Sequence, residues 1–542
     1  MIQGIIFDFD NTLYDYDLAN NQALDKIFIF INMNYNIEYD YIKTIYLNIN
    51  INIKSTNNYN NKFNKYIYFK RLLETLKINF EILELIIKIY WEEFNKNMIL
   101  FEGLYDFLKL LKSNNIKIAI LSNNNFKQQL DKLIELNIIS MIDYIQTSDE
   151  SGNEKPHKSI YLELVNKMKL SFENLCMVGD NMEHDIIPSI ELGIFPFIIN
   201  RKNENSIIID NRFIEFNSYI YLIELFKNYF QSEKELIYLS KLFGQSVFNI
   251  QGQGGNLSIK TLNNKLILIK SSGCILGNMD KNNGFCIGNN SKCLALLENN
   301  IDDLTTIKLF GNKYPSMETF FHCFMKKYTI HLHFTLSNIF MCTNQPNYLV
   351  GLNIKHKIIS YYPPGIHLAK EILKEYNSDI DLYFLQNHGL IITGSTISDI
   401  IYIYNNLFNY FNNLFNNKYE LDLIAFKITE NIYNKFNKSV VIRPYLGINI
   451  KQIINIKYCF PDLAVYINKI CQVDNIIDID FISDIIIFNY TIFLISTDIT
   501  KLYCMIETLD KYAILCDYYD DLVEINSNQI QNMDQEKYRK NN

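Results

Sequence analysis

No two of the ten cysteines in this chain form a CxxC pair. Cys176, Cys274, Cys323 and Cys459 are typical of their scatter, which excludes a zinc ribbon and argues for reduced thiols rather than a disulfide framework. Basic residues are not concentrated either. The 51 Lys and Arg stand against 59 Asp and Glu, a net charge of −8 without a long Lys/Arg block, so nothing argues for a nucleic-acid partner. Long apolar runs are missing too. The most apolar late stretch, Ile485 to Ile495, is broken by Asn489, Tyr490 and Thr491, and it falls short of the ~20 residues a membrane span needs. The opening MIQGIIFDFD has no basic n-region and reaches acid by Asp8, unlike a secretion signal. The expected compartment is therefore the cytosol, with no membrane partner.

Apolar material is plentiful: 48% of the residues are hydrophobic and 14% aromatic, enough to fill ordinary folded interiors. A chain of 542 residues exceeds one core and implies roughly two to four domains. In the first of them, GIIFDFD is a short apolar run suited to a buried parallel strand. Residues of about 16–100 are mostly helical in pattern, as in EILELIIKIYWEEFNK (81–96), with apolar steps of three and four. IKIAILSNNN (116–125) and LCMVGD (175–180) resume a strand rhythm between helical segments. Such alternation predicts a doubly wound parallel α/β sheet, whose ligands collect at the carboxyl ends of strands. Polar residues stand at those ends: Asp8 and Asp10, then Ser122 and Asn123, then Asp180 with Asp185 following, and Lys155 in NEKPHKSIY. Acids, a hydroxyl and a lysine suit a Mg²⁺ and phosphate site, because a hard cation takes oxygen ligands and lysine holds phosphoryl oxygens.

With FDFDNTL, LSNNN, EKPHK and VGDNMEHD in that order, this segment resembles the haloacid dehalogenase superfamily of phosphohydrolases across about 225 residues. The resemblance implies that Asp8 is the nucleophile that forms an aspartyl-phosphate and Asp10 the general acid/base. Ser122, Asn123 and Lys155 would hold the phosphoryl group. Asp8, Asp10, Asp180 and Asp185 would form the Mg²⁺ site, and the helical insert of residues 16–100 a small cap. Lys158 competes with Lys155, but the Lys-Pro pair fits the family pattern. His157 has no expected role, and His184 is placed at the site entrance.

A second domain is expected at about 231–425. YIYLIELFKNYF (219–230) reads as the last helix of the first unit. SEKELIYLSKLFG then reads as a new helix capped by Ser232, with Glu235 three residues on and no Gly/Ser linker between. FNIQGQGGNLSIK (248–260) is a glycine-rich turn, either an anion cradle with Asn256, Ser271 and Ser272 as donors or an ordinary hairpin. In YTIHLHFTL, strand parity puts His331 and His333 on one face, and NHGLIITG offers His388 at the start of another strand. Three imidazoles with an open position make a catalytic Zn²⁺ site. Glu318 in PSMET either moves a proton next to a polarised carbonyl or serves the dipole of the helix it opens.

GGNLS, IKSSG, PSMET, HLH and QNHGL, in that order, make residues 235–400 resemble the class II aldolase/adducin family. The wording is closest to the branch with rhamnulose-phosphate aldolase fusions. The resemblance implies that His331, His333 and His388 bind Zn²⁺ or another divalent ion. Glu318 becomes the acid/base, and Gly255, Asn256, Ser272, Gly273 and Ser316 cradle a substrate phosphate. The metal would stabilise an enediolate. Met317 departs from the second serine of the fuculose-phosphate type, and the interval from Glu318 to His331 is shorter than in that type. Adducins lack the metal ligands that this chain keeps. His322, His356 and His367 match no role.

Residues 426–542 are expected to extend the aldolase unit with an α/β segment and a polar tail; they contain no GxGxxG and no catalytic motif. The expectation is a bifunctional enzyme acting on small phosphorylated sugars: a Mg²⁺-dependent phosphatase joined to a metal-dependent aldolase for a ketose phosphate. By family analogy it assembles as a tetramer. Two alternatives stand beside it. One is a dehydratase–phosphatase of the methionine-salvage type, whose phosphatase carries glutamate where Asp10 stands; the other is a non-catalytic adducin-like scaffold.

Overall fold

The computed structural model describes residues 2–55, 62, 64–204, 207–210, 212–246, 248–342, 349–415, 420–436, 440–446, 453, 470–473, 484–488, 491–497 and 499–518. The chain divides into two compact units, Met1–Phe230 with Leu309–Asn312, and Gln231–Lys308 with Lys313–Asn542.

The first unit is a doubly wound α/β domain. Its strands are β1 (Gly4–Phe7), β2 (Lys117–Ser122), β3 (Tyr144–Thr147), β4 (Leu175–Gly179), β5 (Phe195–Ile199), β6 (Ile207–Ile209) and β7 (Ile214–Phe216). They form one sheet in the order β3-β2-β1-β4-β5-β7-β6, parallel except for the β6–β7 pair. Every residue of β1 and β4 is buried, as strands covered on both faces require. Ile6, Leu121 and Met177 pack on Ile160 and Leu164 of the helix Lys158–Met168. The chain leaves β1 toward β2 on one side and returns to β4 on the other. That reversal opens a crevice at the carboxyl end of β1.

Among the described residues, β1 is followed by the helices α1 (Tyr16–Tyr35), α2 (Tyr39–Lys54), α3 (Lys65–Leu76) and α4 (Leu83–Asn97). Asp15 starts α1 by accepting the Leu18 amide at 2.8 Å, and left-handed Asn36 ends it. Buried Phe28, Tyr46, Phe69, Tyr90 and Phe94 form the interior of this insert, with Phe69 edge-on to Tyr90.

One helix, Tyr219–Gly244, occupies the stretch where two helices are expected. Nothing between Tyr219 and Phe243 breaks it: the segment has no proline and its first glycine is the last helical residue. Ser232 is thus a buried helix-interior residue rather than a cap, and Glu235 accepts from the Tyr328 hydroxyl at 2.7 Å.

An eight-stranded mixed sheet draws most of its strands from the second unit. It comprises β8 (Asn256–Thr261), β9 (Leu266–Lys270), β10 (Phe285–Asn289), β11 (Lys308–Phe310), β12 (Tyr328–Leu332), β13 (His356–Ile359), β14 (Leu382–Leu385) and β15 (Gly389–Gly394), in the order β11-β10-β9-β8-β12-β15-β14-β13. Central β12 runs antiparallel to both β8 and β15, while β13 and β14 are parallel. The register places His331 opposite Asn256 on one side and Ile391 on the other. Beyond this sheet, β16 (Val441–Tyr445), β17 (Ile470–Gln472), β18 (Ile485–Phe488) and β19 (Thr491–Ser496) form a smaller one, ordered β16-β19-β18-β17. It packs Ile442, Ile486 and Phe493 against Ile428 and Ile432 of the helix Glu420–Phe436. The apolar run near Ile485 is thus two strands. Among the described residues no helix is long and apolar enough to cross a membrane. The expected polar tail QNMDQEKYRKNN lies outside the described residues.

Because Ser232 is interior, Ser232→Ala is expected to leave urea-unfolding stability within about 0.5 kcal/mol of the native chain, whereas loss of an N-cap would cost about 1 kcal/mol.

Candidate functional sites

Asp8 and Asp10 extend from the end of β1 into the crevice of the first sheet. The Asp8 amide donates to the Val178 carbonyl at 2.8 Å, which fixes the backbone there. One Asp8 oxygen accepts from the Thr12 hydroxyl at 2.8 Å and the other meets the Lys155 ammonium at 2.6 Å. Lys155 lies equally close, 2.6 Å, to Asp185. Asp185 reaches back over the end of β4 because Gly179 has no side chain. A Cβ there would stand 2.5 Å from the Asp185 carboxylate. Ligand oxygens of Asp8, Asp180 and Asp185 all lie within 4.8 Å of one another.

The Asp10 carboxylate is not brought to that group, contrary to its expected place among the metal ligands. Its oxygens are taken by the Lys132 ammonium at 2.7 Å, the Tyr14 hydroxyl at 2.5 Å and the Gln129 amide at 3.1 Å. Asn123 also differs from a phosphate ligand in its side chain. Its amide donates to the Lys155 carbonyl at 3.0 Å and its oxygen accepts the Lys155 amide at 2.6 Å, so it positions the lysine. Ser122 is buried and accepts from Gln129 at 2.6 Å. Lys158 points elsewhere, to Glu191 at 2.9 Å, and His157 caps the helix it precedes. His184 and all of Asp8, Asp10, Ser122, Asn123, Lys155, Asp180 and Asp185 line one cavity of about 490 Å³.

Electrostatics separate the two leading aspartates. Burial, reinforced by Asp185 and Asp180 and opposed by Lys155, pushes the Asp8 carboxyl up to about 7. Burial likewise lifts Asp180 to about 6, with Asp185 adding to it. Burial also opposes ionisation of Asp10, but Lys132 and the hydrogen bonds from Lys132, Tyr14 and Gln129 outweigh it and hold the carboxyl below its ordinary range. Three carboxylates gather around a single ammonium, and oxygen-only ligands fit a hard cation such as Mg²⁺.

In the second unit, His331 lies near the end of β12, His333 directly follows that strand and His388 precedes β15. Their rings form a triangle with centroids 5.0, 4.7 and 5.1 Å apart, and one nitrogen of each lies within 4.8 Å of the others. His331 Nδ1–H donates to the Leu390 carbonyl at 3.0 Å, which fixes the tautomer and leaves Nε2 a lone pair, buried and without a protein hydrogen bond. Burial, with His388 and His333 nearby and against the pull of Glu318, lowers His331 to about 4. It is neutral at pH 7, the state a metal requires, and the donor set suits Zn²⁺.

Glu318 Oε1 sits 3.5 Å from His331 and 3.3 Å from His388. Burial opposes its ionisation, but the imidazoles of His331, His388 and His322 hold its carboxyl well below the usual range. Gly255 adopts φ +69°, and a Cβ there would strike Ile250 at 2.3 Å and the His331 carbonyl at 3.0 Å. Asn256, register partner of His331, is fully buried, and among the described residues its Nδ2 has no hydrogen-bond acceptor. A buried amide donor without a partner is costly unless a ligand supplies an acceptor. Ser272 and Gly273 are exposed on the turn after β9, and the Ser316 amide donates to the Lys270 carbonyl at 3.2 Å.

Lys132, Gln129, Thr12 and Tyr14 join the first site, and Lys270 and His322 the second, without a functional mark of their own in the local sequence pattern. Lys270 is buried beside Glu318 and lowered by burial; its ammonium donates to the Gln253 carbonyl at 3.1 Å. His322 is fully buried and shares a 2.8 Å hydrogen bond with Ser258.

A doubly wound sheet with acids and a lysine at its strand ends, joined to a mixed sheet bearing three clustered histidines, defines a hydrolase domain fused to an aldolase-type domain. Residues 5–199 match the family model of haloacid dehalogenase-like hydrolases, and residues 234–409 that of the class II aldolase and adducin N-terminal domain. The chain is a fusion of these two domains. It is 26% identical over 219 residues to a ribulose-1,5-bisphosphate 5-phosphatase of Halopiger xanaduensis, covering 38% of this chain and 87% of that protein. A glyceraldehyde 3-phosphate phosphatase of Methanocaldococcus jannaschii is 27% identical over 240 residues, 42% of this chain and 98% of its own. A 3-oxo-tetronate 4-phosphate decarboxylase of Haemophilus influenzae is 27% identical over 186 residues, 31% of this chain and 80% of its own.

Lys132→Met leaves Asp10 facing the protein without its cation. The Asp10 side chain keeps 26% exposure, so the expected loss is about 3 kcal/mol at pH 7, the low end for a broken buried pair. Because the folded-state Asp10 carboxyl is depressed, the pair's contribution is present above the ordinary carboxylate range and fades as pH falls through the folded value. The difference between native and variant chains in urea unfolding should shrink accordingly. Asp8 and Asp180 are raised, so a cation must displace protons from them below about 7. Apparent Mg²⁺ affinity, read by calorimetry, should weaken as pH falls below that value, with proton release on binding near pH 6.5 and little at pH 8.5.

Proposed function

We propose that the chain is a bifunctional sugar-phosphate enzyme, a Mg²⁺-dependent phosphatase joined to a metal-dependent class II aldolase acting on a ketose phosphate. The observation that carries the first half is the Lys155 bridge between Asp8 and Asp185 in a cavity also lined by Asp180 and Ser122. Two relatives that act on small sugar phosphates support it. Asp8 would attack phosphorus and form an aspartyl-phosphate as the ester oxygen leaves with a proton from Asp10. Water would then attack the same phosphorus, returning its proton to Asp10 and the electron pair to Asp8. Lys132 favours the ionised Asp10 and so this second, base-catalysed half. Lys155 would neutralise phosphoryl oxygens alongside Ser122, and bound Mg²⁺ would supply the remaining positive charge.

For the second domain, His331, His333 and His388 would hold Zn²⁺ or a similar ion, which when bound polarises a substrate carbonyl. Glu318, within 3.5 Å of two of these imidazoles, would move the proton at the carbon beside that carbonyl. The Asn256 amide would donate to the substrate phosphate, with Gly255, Ser272, Gly273 and Ser316 on the surrounding turns. The Haemophilus relative favours a second reading, decarboxylation of a 3-oxo acid phosphate. Loss of CO₂ and retro-aldol cleavage both leave an electron pair on the carbon next to a carbonyl, so one site serves either.

The test is a screen of the full chain over phosphorylated ketoses, aldoses and 3-oxo acids, following phosphate, aldehyde and CO₂ with metal content on the same samples. Asp8→Asn should reduce phosphate release by at least about 10³-fold and leave the second-domain ion in place. His331→Ala should lose that ion and carbon–carbon cleavage while phosphate release continues. Unchanged phosphate release in Asp8→Asn would overturn the nucleophile, and full metal stoichiometry in His331→Ala would overturn the histidine site.

A further inference from the structure

The cavity that holds Asp8 is lined by five lysines, Lys54, Lys62, Lys65, Lys132 and Lys155, and five aspartates, Asp8, Asp10, Asp17, Asp180 and Asp185, and its lysines differ in whether an acid pairs with them. Lys155 is matched by Asp8 and Asp185, Lys132 by Asp10, and Lys62 by Glu154 at 3.3 Å. Lys54, at the end of α2, and Lys65, at the start of α3, line the same cavity. Among the described residues neither is within ion-pair distance of a carboxylate. The Lys65 ammonium donates to the Asn20 side-chain oxygen at 2.8 Å and stands 4.9 Å from the Tyr90 ring centroid and 5.6 Å from that of Tyr68. Aromatic faces and a neutral amide hold it in place without cancelling its charge. Burial, together with Lys132 and Lys54, lowers it to about 7. Like charges gathered in a half-buried cavity are stabilised when an anion enters among them.

We propose that Lys65, with Lys54, receives a second anionic group, a phosphate or a carboxylate, on the substrate of the first domain. The preferred substrate is then a phosphate monoester whose alcohol portion carries a second anion, rather than a simple monophosphate. This rests on the phosphatase reading above. A second anion would meet the cap lysines while the scissile phosphate meets Lys155 and Asp8, so the helical insert reads the half of the substrate that is not transferred.

The experiment measures kcat/KM of the full chain with Mg²⁺ for fructose 1,6-bisphosphate, 6-phosphogluconate, fructose 6-phosphate and p-nitrophenyl phosphate, in the native form and in Lys65→Gln and Lys54→Gln. The expected result is preference for one of the two doubly anionic substrates. Lys65→Gln should reduce that preference over p-nitrophenyl phosphate by about ten-fold or more, as loss of a charged hydrogen bond does. Lys54→Gln should give a smaller reduction of the same kind, and it decides the question if Lys65→Gln does not fold. Preference for the bisphosphate assigns the second group as phosphate, and preference for phosphogluconate as carboxylate. Equal native efficiency on all four substrates, or a loss in the variants common to all of them, overturns the second-anion site alone. Absence of turnover of all four by the native chain overturns the phosphatase reading and this inference with it.

Discussion

Burying carboxylates without losing their charge is the constraint that organises the first domain, and the Lys155 ammonium between Asp8 and Asp185 is how it is met. A carboxylate moved out of water becomes protonated unless a cation or hydrogen-bond donors compensate it. Lys155 compensates two at 2.6 Å each, and Asn123 holds its backbone from both sides. With Asp180 alongside, three carboxylates against one ammonium leave two negative charges, which a divalent cation balances. The upward shifts of Asp8 and Asp180 express that imbalance directly.

Two aspartates only two residues apart end in opposite electrostatic states, and the difference comes from the residues that surround them. Asp8 faces other acids and moves up; Asp10 faces Lys132, Tyr14 and Gln129 and moves down. Both residues lie beyond the last residue of β1, where the chain leaves the strand and turns at Asn11 (φ +63°), so strand parity does not hold their side chains to one face. One short segment thus presents a carboxyl raised by its acidic neighbours and another held in its ionised form, a difference that the proposed two-step transfer would use.

Much of this was legible in the sequence, because residues at strand ends carry their position in the local pattern. Asp8, Ser122, Asp180 and the histidines each follow or precede an apolar run, and parity alone put His331 and His333 together. Lys132 carried no such mark. In FKQQLDKLIE it occupies what resembles a solvated helix position, and its partner Asp10 lies 122 residues away. Lys270 ends an apolar strand and resembles an edge lysine until the fold buries it beside Glu318. The expected helix start at Ser232 failed for a different reason. Capping residues permit a break but do not impose one, and with helix-compatible residues on both sides Tyr219–Gly244 continues as one helix.

The two domains meet the same problem of a charged site with different ligand chemistry, and that difference suits them to different cations. Carboxylate oxygens around Lys155 favour a hard ion that keeps its waters, such as Mg²⁺. An imidazole can bind a cation without carrying charge of its own, so buried His331 needs no compensating lysine, and burial holds it down to about 4, free of the proton a metal would have to displace. Nitrogen donors prefer Zn²⁺ and its neighbours to Mg²⁺. A chain carrying both sets can therefore load each site from a mixed cation pool by ligand type. Glu318 is the one carboxylate placed among the imidazoles, and the charge a bound cation would bring there favours its ionised form further. In the proposed reactions that would suit it to take a proton from carbon and return it, while the acids of the first domain would serve phosphoryl transfer.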